Sequence, residues 1–171
     1  MKSSEFKILV MPYSERLYRM AFRMMGNREE AEDMVQEAYV KLWKMRNELP
    51  SYNSIEALAI RITRNLCLDG LRKRKTGLEA YKSQEVQKIE FDMNPHETLE
   101  NKEDAEMMHR LINTLPEPQR SLIHLRHIEG KEYDEIATMV NMNVNAIRVS
   151  ISRARKQMRE ILEKQYSSWK V

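Results

Sequence analysis

Clustered cations are the residues of this sequence whose type and spacing could do chemistry. Between positions 61 and 75 six basic residues stand against one acidic residue, and between 145 and 164 six basic residues stand against two acidic ones. The stretch 77–106 lies between these blocks and carries nine acidic residues and three basic ones. Lysine and arginine grouped in this way neutralise phosphates and release their counterions. The charge pattern therefore predicts two nucleic-acid-binding surfaces on either side of an acidic segment, although the net charge is only +3.

No other group of residues has the spacing of a metal site or a catalytic centre. His124 and His127 lie three positions apart, but no third ligand follows at a matching spacing, so solvated or capping histidines are expected. Cys67 is the single cysteine, and its apolar neighbours predict a buried thiol rather than a nucleophile. The four glycines are scattered and form no loop that could cradle a phosphate. We expect no metal, no other cofactor and no enzymatic activity.

The C-terminal cations lie on a pattern typical of a helix-turn-helix. Ile136, the small Ala137 and Val140 form the inner face of a short helix. Asn141 can adopt the left-handed backbone of the turn, and Asn143 can cap the next helix. Small and polar residues early in that helix and cations later share its outer face: Asn145, Arg148, Val149, Ser152, Lys156 and Arg159. A solvated basic helix in an ordinary bundle is the alternative, and the turn spacing favours DNA binding.

Helices must position these residues, because Leu, Ala, Glu, Lys and Arg dominate, and only four glycines and five prolines interrupt the chain. Residues 78–106 lose apolar periodicity and have few large apolar anchors, so we interpret this stretch as a linker between two domains. Apolar spacing predicts helices, besides the helix-turn-helix, at 13–25, 28–46, 55–75, from about 106 to 115, and at 116–130. No stretch has the alternation of a strand, which indicates an all-α chain.

The helix predicted at 28–46 combines a regular apolar stripe with unusual acidity. Its stripe is expected in the core and consists of Ala31, Met34, Val35, Ala38, Tyr39, Leu42 and Trp43. Five acidic residues lie among the eleven positions from 27 to 37. The helix dipole explains the first of them, and Glu30 can complete a capping box with Asn27. The helix dipole does not explain Glu37, which lies too far from the N-terminus of the helix. This part of the acidic face is therefore expected to have another role.

The helix predicted at 55–75 carries more positive charge than its own stability requires. Four consecutive cations at its end suit the helix dipole. Arg61 and Arg64 extend the charge along the helix, which the dipole does not require, so a phosphate-tracking face is favoured. Ser54 is expected to cap the start of this helix, and Asp69 to pair with a cation one turn later.

Four stretches, in this order, make the sequence similar to a bacterial sigma factor. They read AEDMVQEAYVKLW, IRITRNLCLDGLRKRK, LPEPQRSLIHLRHIEGKEYDEIA and VNAIRVSISRARKQM. With only a short linker between the two modules, the chain resembles the extracytoplasmic-function (ECF) group of the sigma-70 family. The resemblance covers residues 10–76 as region 2 and 106–163 as region 4. It implies two small helical domains, 1–76 and 106–171, joined by a flexible acidic linker at 77–105.

The resemblance implies a factor that binds core RNA polymerase and directs transcription initiation from two promoter elements. The residues at positions matching minus-ten recognition are Tyr52, Arg61, Arg64, Asn65, Arg72, Lys73 and Arg74. Those matching minus-thirty-five recognition are Asn145, Arg148, Val149, Ser152, Arg153 and Lys156. The acidic helix would dock on the clamp helices of the polymerase β′ subunit through Asp33, Gln36, Glu37 and Lys41, and the β flap is a second implied contact. Asn65 has an alternative role as a hydrogen-bonded residue between helices.

The resemblance also implies a further partner, an anti-sigma factor, and it leaves the promoter sequence open. The single cysteine suits a reducing compartment, so the cytoplasm is the expected location. No apolar run approaches the roughly 20 residues that span a bilayer, so membrane insertion is not expected. The sequence departs from the family at positions that bear on promoter choice. Leu58 and Ala59 stand where an aromatic residue is frequent, Asn141 where glycine is common, and Ser150 where arginine is frequent.

Two other classes of protein have to be weighed against this interpretation. A stand-alone helix-turn-helix regulator with a helical effector or dimerisation domain would bind its duplex unaided, usually as a dimer on two half-sites. The basic helix at 61–75 has no purpose in such an effector domain. A helical adaptor that binds only proteins would leave both basic blocks unexplained.

Overall fold

A computed structural model of the protein describes residues 1–77 and 99–168. Within those ranges the α-helices are α1 (Ser3–Val10), α2 (Ser14–Met25), α3 (Arg28–Lys44), α4 (Ile55–Thr76), α5 (Leu99–Thr114), α6 (Gln119–Ile123), α7 (Tyr133–Val140) and α8 (Val144–Ser168). Short 3₁₀ turns lie at Met11–Tyr13 and Leu49–Ser51, and a π-helical turn lies at His124–Ile128. The described residues contain no strand, which confirms the all-α class. None of these helices is long and apolar enough to cross a bilayer.

The first domain is a bundle of α2, α3 and α4, which pack against one another on their apolar faces. Each of these helices lies within two residues of its predicted ends. Helix α1 has no counterpart among the predicted helices. Its eight residues are too few to be stable alone, and it is held by the burial of Phe6 and Val10 against the bundle.

The apolar stripe of α3 lies in the core as predicted, except at its last turn. Ala31, Val35 and Leu42 are buried, whereas Trp43 is 37% exposed. The ring of Phe6 meets the indole edge-on at 5.1 Å between centroids, and the guanidinium of Arg46 lies 4.5 Å from the indole centroid. The prediction that Trp43 belongs to the core is therefore wrong, because its neighbours cover only part of the indole.

The predicted caps are present at the starts of α3 and α4. Ser54 Oγ accepts a hydrogen bond from the Ala57 amide at 3.1 Å, and Asn27 Oδ1 accepts one from the Glu30 amide at 3.1 Å. The carboxylate of Glu30 pairs with Arg74 of α4. Half of the predicted capping box is thus present, and the acidic member of that box ties two helices together.

The second domain contains α5 to α8 and differs in two places from the predicted helices. Helix α6 passes directly into the π-helical turn, where the Glu129 amide donates to the His124 carbonyl, five residues back, at 3.0 Å. The single helix predicted to end at Gly130 therefore widens in its last turn. Helix α5 begins at Leu99, seven residues before the predicted start near Glu106. The rest of the predicted linker 77–105 lies mainly outside the described residues.

The helix-turn-helix of α7 and α8 forms as the sequence predicts. Asn141 has φ 54° and ψ 50°, the left-handed conformation that ends α7. Asn143 Oδ1 accepts a hydrogen bond from the Ala146 amide at 2.7 Å and caps α8. Ile136 and Ile147 are fully buried between the two helices and the rest of the domain. The side chain of Arg148 consequently lies on the outer side of α8.

The two domains pack directly on each other. Helix α4 lies against α7, and α2 lies against α6. The buried apolar residues of both domains belong to one continuous cluster. This packing decides which of the predicted binding residues are open to a partner.

We expect Asn141→Ala to destabilise the protein by about 1 kcal/mol, because the left-handed backbone conformation is sterically unfavourable for alanine. Asn141→Gly should be within about 0.5 kcal/mol of the parent, since glycine accepts positive φ. Urea unfolding followed by circular dichroism measures both. Asn65→Ala, at an exposed position inside α4, is the matched control and should not destabilise. Equal stability of Asn141→Ala and the parent would contradict this account of the turn.

Candidate nucleic-acid interface

Helix α8 presents the face that the sequence predicts for duplex recognition. Its buried stripe packs against α6 and α7 and consists of Ile147, Ile151, Ala154 and Met158. The residues predicted on the opposite side, and those at positions matching minus-thirty-five recognition, are all exposed: Asn145, Arg148, Val149, Ser152, Arg153, Lys156 and Arg159. Val149 is an apolar side chain left 49% exposed, which suits contact with a thymine methyl group. The structure therefore brings these residues together on one open surface.

An aromatic residue that the sequence analysis did not single out lies beside this face. The guanidinium carbon of Arg148 is 5.1 Å from the ring centroid of Tyr133, the first residue of α7. The guanidinium carbon of Arg126 is 4.8 Å from the same centroid. An aromatic residue that opens the first helix of a helix-turn-helix was the available signal in the sequence.

Helix α4 divides its predicted contacts between an open side and a closed one. Asn65, Arg72 and Lys73 are exposed, and Arg72 holds Asp69 Oδ1 at 3.2 Å as predicted. Exposure of Asn65 disfavours its alternative role between helices. The closed side adjoins a cavity of about 260 Å³ between the domains, lined by Tyr52, Asn53, Ser54, Ala57, Leu58, Arg61 and Thr138. Two of the predicted minus-ten residues, Tyr52 and Arg61, thus line this cavity together with Thr138 of α7, and both are partly buried.

Arg64 is the predicted contact that the domain packing affects most. It is 7% exposed, and one of its terminal nitrogens lies 4.0 Å from a carboxylate oxygen of Glu117 in the second domain. Burial lowers the pKa of the Arg64 guanidinium, and the charge of Glu117 opposes that effect. A side chain in this position reaches a phosphate only after the two domains separate.

Arg74 contributes to the structure of the first domain. Its guanidinium donates a hydrogen bond to the carbonyl of Met25 at 3.1 Å and pairs with Glu30. It therefore joins the end of α4 to the turn between α2 and α3. Its contact with nucleic acid stays a prediction.

The four residues predicted to bind a protein partner form one open face of α3. Asp33, Gln36, Glu37 and Lys41 are all exposed, and Lys41 Nζ lies 3.8 Å from a carboxylate oxygen of Glu37. Val40 lies among them with 50% of its surface exposed, and it was not predicted as a site residue. An exposed apolar side chain inside a polar rim is typical of a protein-binding surface.

One group of ion pairs between the domains meets at Glu129, whose side chain is 5% exposed. Arg19 of α2 donates to both of its oxygens, at 2.7 and 3.0 Å, and Arg16 Nε lies 3.7 Å away. A second pair joins Glu56 of α4 to Lys131 Nζ at 2.8 Å, and Arg16 also holds Glu56 at 2.5 Å. Bidentate contact between guanidinium and carboxylate fixes geometry as well as charge.

His124 is part of this buried cluster. Its Nε2 lies 3.3 Å from Glu129 Oε1, and burial lowers the pKa of its imidazole. Burial alone would raise the pKa of Glu129, but the contact with His124 and the hydrogen bonds from Arg19 outweigh it and lower that pKa to about 2. The expectation of a solvated or capping side chain is wrong for His124, because the π-helical turn holds it against Glu129.

His124 and His127 do not lie together as ligands of one metal ion. His127 is exposed, and its Nε2 lies 3.0 Å from a guanidinium nitrogen of Arg155. Among the residues described, no three or more His, Cys, Asp and Glu side chains are grouped to hold a metal ion.

Two family models match the chain, one for each domain. Residues 9–76 match Sigma-70 region 2, and residues 105–158 match Sigma-70, region 4. The ECF RNA polymerase sigma factor SigE of Mycolicibacterium smegmatis is 31% identical over 161 residues, which are 93% of this chain and 62% of that protein. The chain therefore spans less than two thirds of the length of this relative. The ECF RNA polymerase sigma factor SigW of Bacillus subtilis is 27% identical over 167 residues, covering 92% of this chain and 88% of SigW.

Solved structures share the fold. The sigma factor RpoE from Bartonella quintana, in complex with the anti-sigma factor NepR, superposes with a TM-score of 0.75 at 23% identity. That match covers 93% of this chain and 97% of the other. CnrH, in complex with the cytosolic domain of CnrY, superposes with a TM-score of 0.65 at 20% identity, covering 95% of this chain and 90% of the other.

We expect Glu129→Gln to be less stable than the parent at neutral pH. The difference in the free energy of unfolding between the two proteins should disappear in acid. The pKa of Glu129 is lowered on folding from its ordinary 4.5 to about 2, so its contribution is complete above pH 4.5 and disappears as the pH falls to about 2. Chemical unfolding at several pH values measures the difference between parent and variant. Glu37→Gln, the same substitution at an exposed carboxylate, is the control and should have a stability close to that of the parent at neutral pH. A deficit for Glu129→Gln that stays constant from pH 7 to pH 2 would contradict the assignment.

Proposed function

Because the chain belongs to the ECF group of the sigma-70 family, we propose that it is a transcription initiation factor, not an enzyme. It binds core RNA polymerase and directs it to promoters by recognising the minus-ten and minus-thirty-five elements. The observation that carries the proposal is the open face of α8, in a domain that follows a second domain with its own basic helix. Two surfaces of this kind on one chain can bind two separate stretches of one promoter.

The two DNA surfaces call for different modes of contact. The start of α8 offers small and polar side chains that can approach base edges in the major groove, and the later cations can contact phosphates. The exposed side of α4, with Asn65, Arg72 and Lys73, suits the backbone of an opened strand. Tyr52 is the aromatic side chain of the preceding loop and can stack on an unpaired base.

The open face of α3 is the proposed docking surface for the clamp helices of the polymerase β′ subunit. Its charged rim, with Asp33 and Glu37, sets orientation and association rate. Val40 at its centre supplies apolar area that a polar rim can shield from water. The β flap is the proposed contact for the second domain.

Binding to the minus-ten element requires the domains to separate. Arg64 is buried against Glu117, and Arg61 and Tyr52 line the cavity that faces α7. Arg64 cannot contact a strand while it is buried in this way, and Tyr52 and Arg61 are partly buried in the same contact between the domains. We infer that loading onto polymerase replaces the contact between the domains with contacts to the enzyme, since a binding partner shifts the protein toward the state it prefers.

We also infer an anti-sigma factor as a partner and the cytoplasm as the location. RpoE of Bartonella quintana, which shares the fold of this chain, was solved in complex with the anti-sigma factor NepR. CnrH, which also shares the fold, was solved in complex with the cytosolic domain of CnrY. Core polymerase and chromosomal DNA are accessible in the cytoplasm.

A transcription assay distinguishes this function from that of a stand-alone regulator. With core polymerase the chain should initiate transcription from a subset of promoters in a library, whereas without polymerase it should bind the same duplexes weakly. Glu37→Lys should weaken binding to core at least about tenfold through a slower association rate. Glu160→Lys, an equal charge change at an exposed position on α8, should leave that rate unchanged. Tight binding of the chain alone, as a dimer on two half-sites, would overturn the proposal.

Energy transfer between dyes on the two domains tests the separation. Exposed Glu29 and Glu163 can be replaced by cysteine for labelling. Cys67 is buried, as the sequence predicts, and burial raises the pKa of its thiol to about 12, so it does not compete for the dye. Transfer should be high in the free chain and fall on addition of core polymerase, and Glu129→Lys should lower it without polymerase. Unchanged transfer in the active complex would contradict the proposed opening.

A further inference from the structure

The ring of Tyr133 has two arginine neighbours, one from each side of the helix-turn-helix. The guanidinium carbon of Arg126, in the π-helical turn, is 4.8 Å from the ring centroid, and that of Arg148, on α8, is 5.1 Å away. Both distances lie inside the range in which a cation is attracted to an aromatic face. Tyr133 is half-buried and packs against the core of its domain, so the ring is held in place.

Arg126 is fixed by other groups besides the ring. One of its terminal nitrogens donates to the carbonyl of Lys131 at 2.8 Å and lies 3.2 Å from a carboxylate oxygen of Glu132. The carboxylate of Glu132 offsets the charge of Arg126. Arg126 therefore helps to hold the start of α7, and repulsion between the two guanidinium groups is reduced.

Arg148 has a different environment. It is exposed, and within the described part of the chain it forms no ion pair, so the ring is what orients its guanidinium. Arg153 and Lys156, later on the same face, are exposed and have no aromatic neighbour among the described residues. An arginine that reads a base needs a defined direction, because its paired donors must meet two acceptors at once. A lysine or arginine that only neutralises a phosphate does not need one.

We propose that Tyr133 is a positioning residue for Arg148 and gives it specificity for one base pair of the minus-thirty-five duplex. The ring face holds the guanidinium beside the start of α8, so that less rotational freedom is lost when it meets a base edge. This inference rests on the proposed function. It assigns Arg148 to direct base recognition, and leaves Arg153 and Lys156 to the phosphates.

Transcription by the complete complex with core polymerase, from a promoter library randomised across the minus-thirty-five element, tests the assignment. Arg148→Ala should abolish the preference at one position, a loss of about five- to 150-fold in discrimination. Tyr133→Leu, which keeps apolar bulk, should reduce the preference at that same position by about two- to fivefold. Tyr133→Phe keeps the ring and should behave like the parent. In the Arg148→Ala background, Tyr133→Leu should have no further effect at that position.

Several outcomes would overturn the inference while leaving the proposed function intact. A loss of preference spread evenly over all positions in Tyr133→Leu, with a lower melting temperature, would mean that the ring only supports the fold. A Tyr133→Phe variant that resembles Tyr133→Leu would assign the effect to the hydroxyl group. If Arg148→Ala showed no position-specific change, Arg148 would not make the proposed contact with a base. If the parent complex shows no dependence on the element at all, the proposed function fails instead.

Discussion

A buried carboxylate between the two domains is the constraint on which the rest of the arrangement depends. Glu129 is nearly closed off from water, and an ionised group in that position is stable only with charged partners and hydrogen bonds. Arg19 supplies both, and His124 adds a nitrogen from the second domain itself. Separating the domains restores water to Glu129, whereas removing Arg19 alone would leave the charge buried. The pairing therefore contributes to specifying how the domains meet.

This contact makes the two proposed DNA-binding surfaces unequal. The outer face of α8 is open while the domains are together, but Arg64 on α4 is buried against Glu117. Under the proposed function, the free chain carries one surface ready for duplex and one that has to be uncovered. A surface exposed only in the assembled complex would restrict opened-strand contacts to chains already bound to polymerase.

Some acidic residues of α3 form ion pairs within the first domain, and others are exposed on its surface. Glu30 and Arg74 pair with each other and tie α3 to α4, whereas Asp33 and Glu37 point outward. Acidic residues that are close together in α3 thus have different contacts. The side of the helix on which each residue lies determines its contacts, because only residues on the side facing α4 can reach the basic end of α4.

Local sequence determined most of the helices, the caps at Asn27, Ser54 and Asn143, and the turn at Asn141, because each depends on residues within four positions of one another. The order of four motifs was enough to indicate the family, and the periodicity of α8 placed its outer face correctly. Tertiary structure alone decided the burial of Arg64 and His124, the exposure of Trp43, and the position of Tyr133 beside Arg148. Arg19 and Glu129 are 110 residues apart, and contacts at such a distance leave no periodic or local signal. They arise only when packed helices bring distant side chains together.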